Sequence, residues 1–136
     1  NTKRNTITIS EGGNSCGYID FQKVDFWCGG HCYNLHEVTV DAKYLYQCLK
    51  FNERKIMSLR VGSGLPNIQK KAIESVPVLY PSKLEQQRIA AVLTAADKEI
   101  EVLEAKLVHL KQEKKALIQQ LLTGKRRVKV DEMEVA

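Results

Sequence analysis

The chain has 136 residues, of which 43% are hydrophobic and 27% charged, a composition that excludes a wholly disordered protein and suits one globular domain with one extended element. Its 21 Lys and Arg exceed its 16 Asp and Glu, and the net charge of +5 favours a polyanionic partner such as nucleic acid. No run approaches about 20 apolar residues and no secretion signal opens the chain, so we expect no membrane span and a cytoplasmic protein.

Short strand-like patterns fill the first part of the chain. β-branched or alternating apolar residues, separated by glycine-rich breaks, predict strands at residues 6–9, 17–21, 33–40 and 73–79. In the third of these, Leu35, Val38 and Val40 are the residues expected to point inward. The pattern predicts a small β-rich domain over residues 1–81, because Pro81 cannot continue a strand ladder.

A helix is predicted between the third and fourth strands. Asp41 is a suitable N-cap, and apolar residues recur at helical spacing from Tyr44 to Leu49, with the helix continuing to about Arg54. The following residues 62–71 are polar and rich in glycine, which predicts an exposed loop.

Four cysteines, Cys16, Cys28, Cys32 and Cys48, lie in this domain. Without a secretion signal, reduced core thiols are favoured over disulfides. A zinc site built from Cys28, His31 and Cys32 with Cys16 or His36 is the alternative, although the two regular ligand pairs of a structural zinc site are missing.

A cysteine hydrolase is a further alternative, with Cys28 or Cys32 as nucleophile and His31 as base. Adjacent residues of a strand point to opposite faces, which separates His31 from Cys32. We therefore predict no catalytic centre, no metal and no cofactor.

A long helix is predicted over residues 82–124. Ser82 and Glu85 fit a capping box, and no Gly or Pro follows until Gly124, so the helix would span roughly 60 Å. Apolar residues alternate at spacings of four and three along it, an arrangement that Lys114 interrupts once: Ile89, Leu93, Ala96, Ile100, Leu103, Leu107, Leu110, Leu117 and Leu121. We name these nine residues the seam and predict a coiled coil through them. The alternative is that the seam packs against its own domain.

The last twelve residues, 125–136, are basic and then acidic, and predict a flexible tail. Its basic run, residues 125–129, stays solvated in one interpretation. In the other it approaches DNA or a partner protein.

Several segments resemble one protein family. They are GGNSCG at 12–17, FWCGGHCY at 26–33, GSGLPNIQKK at 62–71, VPV at 76–78, EQQRIA at 85–90 and KKALIQQLLTG at 114–124. Together they resemble the specificity subunit of type I restriction-modification systems, with the end of a target-recognition domain followed by a conserved helical region.

The resemblance implies an α+β fold in which a partial target-recognition domain precedes a long helix that pairs antiparallel. It also implies a non-catalytic role: two recognition domains each read half of a bipartite DNA target, and their helices set the spacing. Methyltransferase subunits dock on the scaffold, and the restriction subunit joins through them. This chain has one domain and one helix and starts without Met inside a recognition domain, so we expect a fragment or a half-subunit that forms a homodimer through its helix.

DNA reading needs hydrogen-bonding side chains on loops held by a rigid sheet. In the 62–71 segment, the predicted base-reading residues are Ser63, Asn67 and Gln69, and the predicted phosphate contacts are Lys70 and Lys71. The weaker predictions are Asn14, His31 and Tyr33. Solvated lysines, a core histidine and a turn asparagine are the alternatives. For the whole chain, the alternative is a dimerisation or docking adaptor without DNA readout.

Overall fold

The computed structural model describes residues 1–129 and divides the chain into two compact units, Asn1–Thr94 and Ala95–Ala136. The acidic end of the predicted tail, residues 130–136, lies outside the described residues. The elements are β1 (Thr6–Ser10), β2 (Ile19–Gln22), β3 (Cys32–Asn34), α1 (Ala42–Phe51), α2 (Glu53–Ser58), α3 (Lys70–Glu74) and α4 (Lys83–Leu122). A small antiparallel sheet followed by a long helix agrees with the predicted α+β class.

β1 is the central strand of the three-stranded sheet, whose order is β2-β1-β3. Its alternation of Thr and Ile is suited to a strand with one buried face. Ile7 and Ile9 are at most 1% exposed, and they face Phe21 and Ile19 of β2 across the antiparallel ladder. The strands predicted at residues 6–9 and 17–21 are confirmed, the second starting two residues later than expected.

The outer edge of β2 is closed by side chains instead of another strand. Glu53 Oε2 accepts the backbone N–H of Ile19 at 2.9 Å, and Lys50 Nζ donates to the carbonyl of the same residue at 3.0 Å. The two side chains also pair with each other at 2.6 Å, and the Lys50 ammonium lies 4.3 Å from the ring centre of Tyr18. The turn between α1 and α2 therefore satisfies backbone groups that an edge strand would leave open.

α1 begins as the sequence predicts. The Asp41 carboxylate accepts the N–H groups of Lys43 and Tyr44, both at 3.0 Å. The helix ends earlier than expected, because the Asn52 side-chain amide donates to the Cys48 carbonyl at 2.8 Å and the chain restarts as α2.

The core of the first unit lies between the sheet and these helices, and its buried residues are Ile7, Ile9, Cys16, Ile19, Leu45, Leu49, Ile56 and Ile68. Gly17 allows α2 to approach the sheet connection closely. Its φ is +88°, and a Cβ at this position would stand 2.9 Å from the Met57 Cα.

The strand predicted over residues 33–40 is wrong beyond Asn34. The Leu35 N–H still donates to the Ile7 carbonyl at 2.9 Å, but Glu37 then adopts a left-handed conformation with φ of +52° and ends the extended run. Leu35, Val38 and Val40 nevertheless pack against the core. The apolar pattern therefore identified the residues that point inward, although they do not form a β-strand.

The strand predicted over residues 73–79 is also wrong. Its start is the end of α3, and the rest is irregular, although Ile73, Val76 and Val78 pack against the core. The Tyr44 hydroxyl donates to the Leu79 carbonyl at 2.9 Å, which holds this segment without a ladder.

α4 starts within the first unit. The Ser82 hydroxyl accepts the Glu85 N–H at 3.3 Å, as expected for a helix N-cap. Gln86 is only 5% exposed, and its amide accepts the Asp41 N–H at 3.0 Å and donates to the Pro81 carbonyl at 2.9 Å. Ala90, one turn later, is 3% exposed.

In the second unit α4 continues to Leu122 and stops at the predicted glycine. Gly124 has φ of +70°, its N–H donates to the Leu121 carbonyl at 3.2 Å, and the Arg126 N–H reaches the Gln120 carbonyl at 3.0 Å. None of the helices in residues 1–129 is long and apolar enough to cross a membrane.

Candidate DNA interface

Glu11 is the point at which the predicted DNA-reading segments meet. It directly follows β1, and its N–H donates to the His31 carbonyl at 3.0 Å. Its own carbonyl accepts the Ile68 N–H at 2.9 Å and the Cys16 thiol at 3.1 Å. The segments that contain His31 and Ile68, which are 20 and 57 residues further along the chain, are thus both hydrogen-bonded to the backbone of Glu11.

The glycine-rich turn after β1 lies against the predicted loop. The Gly13 N–H donates to the Pro66 carbonyl at 2.9 Å, and Gly12 forms a backbone bridge with Asn67. Asn67 is also paired with Val61 through two backbone hydrogen bonds of 2.8 and 2.9 Å, which close the loop between them. These contacts place the turn that carries Asn14 beside the loop that carries Ser63.

Tyr33 connects the sheet to the same loop. Its hydroxyl lies 3.0 Å from Glu11 Oε1 and 3.0 Å from the Ile68 carbonyl. Burial, followed by the neighbouring Glu11 carboxylate, raises the pKa of Tyr33. The hydroxyl is therefore protonated and occupied within the protein.

Residues 62–71, which were predicted to form a polar exposed loop, are only partly exposed and end in a helix. Ile68 is 0% exposed and belongs to the core, and Asn67 is half-buried. Lys70 and Lys71 lie in α3, where Lys70 pairs weakly with Glu74 at 3.7 Å. The prediction failed here because Ile68 is anchored by residues distant in sequence.

On these joined segments, the predicted DNA contacts with exposed side chains are Asn14, His31, Ser63, Gln69, Lys70 and Lys71. His31 is 89% exposed, so the alternative of a core histidine is wrong, and its Nδ1 lies 3.9 Å from Glu11 Oε2. Donors and acceptors of this kind suit base edges, and the lysines suit phosphates.

Arg60 adds a third cation that the sequence analysis did not select. It is exposed and immediately precedes the closed loop. Burial raises the pKa of Cys16, and the positive charge of Arg60 partly offsets this increase. Residues 60–71 hold three cations and no carboxylate. The only signal in the sequence that could have identified Arg60 as a candidate DNA contact is its position next to a glycine-rich loop.

Cys32, next to His31, lacks the lowered pKa of an activated nucleophile. Burial, and next the neighbouring Cys28 thiol, raise the pKa of Cys32 to about 11. A catalytic thiol needs a lowered pKa, so Cys32 is unsuited to hydrolysis. Within residues 1–129, no three His, Cys, Asp or Glu side chains come together as metal ligands.

The seam on α4 is a second candidate surface. Its members in the second unit are well exposed: Ile100 53%, Leu103 56%, Leu107 51%, Leu110 48%, Leu117 37% and Leu121 39%. Ala96 is also exposed. In the first unit, Leu93 is 39% exposed and Ile89 is half-buried. Leucines on one stripe of a long helix are suited to pairing with another helix.

The chain thus belongs to a class of protein in which a small α+β domain with polar loops is continued by a long helix that carries an exposed apolar stripe. The family model described as the type I restriction modification DNA specificity domain matches residues 1–112. The chain belongs to this family.

Similar proteins have the same description. A type I specificity subunit of Mycoplasma pneumoniae is 36% identical over 105 residues, covering 74% of this chain and 28% of that protein. The type I restriction enzyme MjaVIII specificity subunit of Methanocaldococcus jannaschii is 31% identical over 84 residues, covering 62% of this chain and 20% of that protein.

The crystal structure of the type I restriction-modification system S subunit from Mycoplasma genitalium superposes with a TM-score of 0.68 at 30% identity. The match covers 83% of this chain and 31% of that one. This chain thus matches less than a third of the length of each of these relatives.

Proposed function

We propose that this chain is a non-catalytic specificity module that reads one half-site of a bipartite duplex DNA target in the cytoplasm. The observation that carries the proposal is that hydrogen bonds at and beside Glu11 join three segments, which carry exposed lysines and exposed hydrogen-bonding side chains. Family membership supports the same role.

We further propose that α4 pairs antiparallel with a second helix and forms part of the scaffold on which methyltransferase subunits, and through them the restriction subunit, assemble. The exposed seam supports this proposal, because leucines half exposed in a single chain are stabilised when a partner covers them. In a solution of this chain alone, the partner is a second copy.

Duplex binding of the full chain, measured by fluorescence anisotropy over a salt series, tests the DNA-reading role. We expect affinity to fall steeply with salt, because phosphate contacts release counterions. Reversing Lys70 and Lys71 to Glu should weaken binding and lower the logarithmic salt slope by about 2, one unit for each lost contact.

The matched control reverses Lys111 and Lys115, two lysines of α4 that lie off the seam, with the same change in net charge. If the control weakens binding as much as the Lys70/Lys71 variant, attraction is general rather than localised at the interface. If the full chain shows no salt-sensitive duplex binding, the DNA-reading role is wrong. Retained methyltransferase docking would then favour an adaptor without DNA readout.

A further inference from the structure

We propose that Glu11 and Tyr33 form a positioning pair, which sets the DNA sequence that the interface selects without contacting the DNA. The inference rests on the proposed DNA-reading function and reassigns Tyr33, which the sequence analysis selected as a DNA contact.

The pair links two parts of the fold that share no ladder. Tyr33 lies on β3 opposite Ile9 of β1, and its hydroxyl reaches across to the Ile68 carbonyl at 3.0 Å. The Glu11 carboxylate lies 3.0 Å from the same hydroxyl, whose single proton it shares with the Ile68 carbonyl. A hydrogen bond to a carboxylate is stronger than one between neutral groups, so Glu11 holds the tyrosine in this orientation.

Ile68 is consequently fixed on three sides. Its N–H binds the Glu11 carbonyl at 2.9 Å, its carbonyl faces the Tyr33 hydroxyl, and its side chain is 0% exposed. Asn67 and Gln69 flank this anchored residue. Base-edge hydrogen bonds require donor and acceptor to meet within a few tenths of an ångström, so a displaced anchor would misplace both amides.

Neither member of the pair is placed to bind DNA itself. The Glu11 side chain is 24% exposed and carries the charge that phosphates repel, and one of its oxygens is already occupied by Tyr33. Tyr33 is half-buried, with its hydroxyl held internally. Their influence on DNA therefore passes through the Ile68 segment.

The pair should affect sequence discrimination more than total affinity. Arg60, Lys70 and Lys71 attract phosphates over a screening length of about 8–10 Å, so a small displacement of the loop changes their contribution little. Directional contacts to bases lose most of their value over the same displacement.

The test compares two tyrosine variants in the full 136-residue chain. Tyr33→Phe removes the positioning hydroxyl, whereas Tyr44→Phe removes a hydroxyl that donates to a backbone carbonyl away from the interface, at Leu79. The probe is a pool of 30-base-pair duplexes with randomised central positions, retained on immobilised protein and sequenced. Total retained DNA is measured in parallel at several salt concentrations.

We expect the wild-type chain and Tyr44→Phe to enrich the same motif. In Tyr33→Phe, the enrichment should fall about tenfold, with total retention within about twofold of wild type. Glu11→Ala leaves the hydroxyl proton to the Ile68 carbonyl but removes the carboxylate that orients the ring, so it should lower the enrichment less than Tyr33→Phe does. Glu11→Gln, which keeps an oxygen acceptor for the hydroxyl, should recover part of the enrichment. The Gln variant keeps the test informative if Tyr33→Phe unfolds.

Equal enrichment by Tyr33→Phe, Glu11→Ala and wild type would overturn the positioning role. So would a loss of total retention that accompanies the loss of enrichment in a folded variant, since Tyr33 would then bind DNA directly. A wild-type chain that retains DNA in a salt-sensitive way but enriches no motif also overturns it. Failure of the proposed function is different, because then no salt-sensitive retention occurs at all.

Discussion

In the first unit, Ile7, Ile9 and Ile19 are at most 1% exposed and are covered by residues distant in the chain, whereas in the second unit Leu103 and Leu107 are more than half exposed. Both regions carry apolar side chains with a clear period, two in β1 and three-to-four in α4. The first unit is stabilised by non-local contacts, whereas the second leaves its apolar side chains exposed. Periodicity therefore identifies which face of an element is apolar, whereas tertiary contacts decide what covers that face.

The largest expected effect concerns the partner of the second unit. Leu103→Asp combined with Leu107→Asp should convert a dimer into a monomer, because a dimer buries four of these leucines at about 1.5 kcal/mol or more each, roughly 6 kcal/mol in total. Light scattering over a concentration series measures the mass.

Val102→Asp combined with Val108→Asp is the matched control. These valines are 60% and 54% exposed, and they lie off the seam. The control should stay dimeric. If the wild-type chain is itself a monomer, two copies do not pair through the seam, and a partner segment of other origin covers it.

The next largest effect concerns the self-supporting unit. Gly17→Ala places a methyl group 2.9 Å from the Met57 Cα at a residue with φ of +88°, so it should destabilise the first unit by about 3 kcal/mol. Amide hydrogen exchange at β1 measures this, with exchange of residues 95–122 expected to change little.

Gly13→Ala separates backbone strain from crowding. Gly13 also has a positive φ, +74°, but no atom lies within 4 Å of its would-be Cβ. Its cost should be about 1 kcal/mol, from strain alone. Equal effects of the two substitutions would show that the close approach of α2 is unimportant.

A smaller effect concerns the side-chain edge of β2. Glu53→Gln removes the charge that binds both Lys50 and the Ile19 N–H, and should cost about 2 kcal/mol by urea unfolding. Glu74→Gln is its control, since the exposed Lys70–Glu74 pair should contribute about 0.5 kcal/mol or less. If both variants lose the same stability, the edge closure contributes nothing beyond a surface ion pair.

The difference between local signals and non-local contacts explains which elements could be predicted from the sequence. α4 was predicted almost from end to end, because its signals are local: Ser82 caps the start and Gly124 terminates it. β1 and the Asp41 cap were also predicted, since alternation and capping depend on neighbouring residues.

Several of the errors involve distant partners. Residues 73–79 are β-branched enough to resemble a strand, yet no neighbouring strand pairs with them, and the Tyr44 hydroxyl holds the segment from 35 residues away. Glu11 carried no signal for the same reason, because His31, Tyr33 and Ile68 meet it only in the folded chain. Residue type was enough to select exposed polar side chains as candidates, whereas the contacts that support their segments could not be read from the sequence.

The smallest effect concerns Tyr44 of α1, whose hydroxyl contacts the segment that leads to α4. Tyr44→Phe loses the hydrogen bond to Leu79 and should cost about 1 kcal/mol near pH 8. A hydrogen bond with Cys48, and then burial, raise the pKa of Tyr44 to about 12, above the value of about 10 expected in the unfolded chain. Because the folded pKa is raised, this contribution is fully present below pH 10 and is lost as the pH rises toward 12. The stability difference between wild type and Tyr44→Phe, measured by urea unfolding, should therefore shrink between pH 8 and pH 11.5. A difference that stays constant over this range would show that the hydroxyl ionises in the folded chain as easily as in the unfolded one, and that the first unit does not bury it.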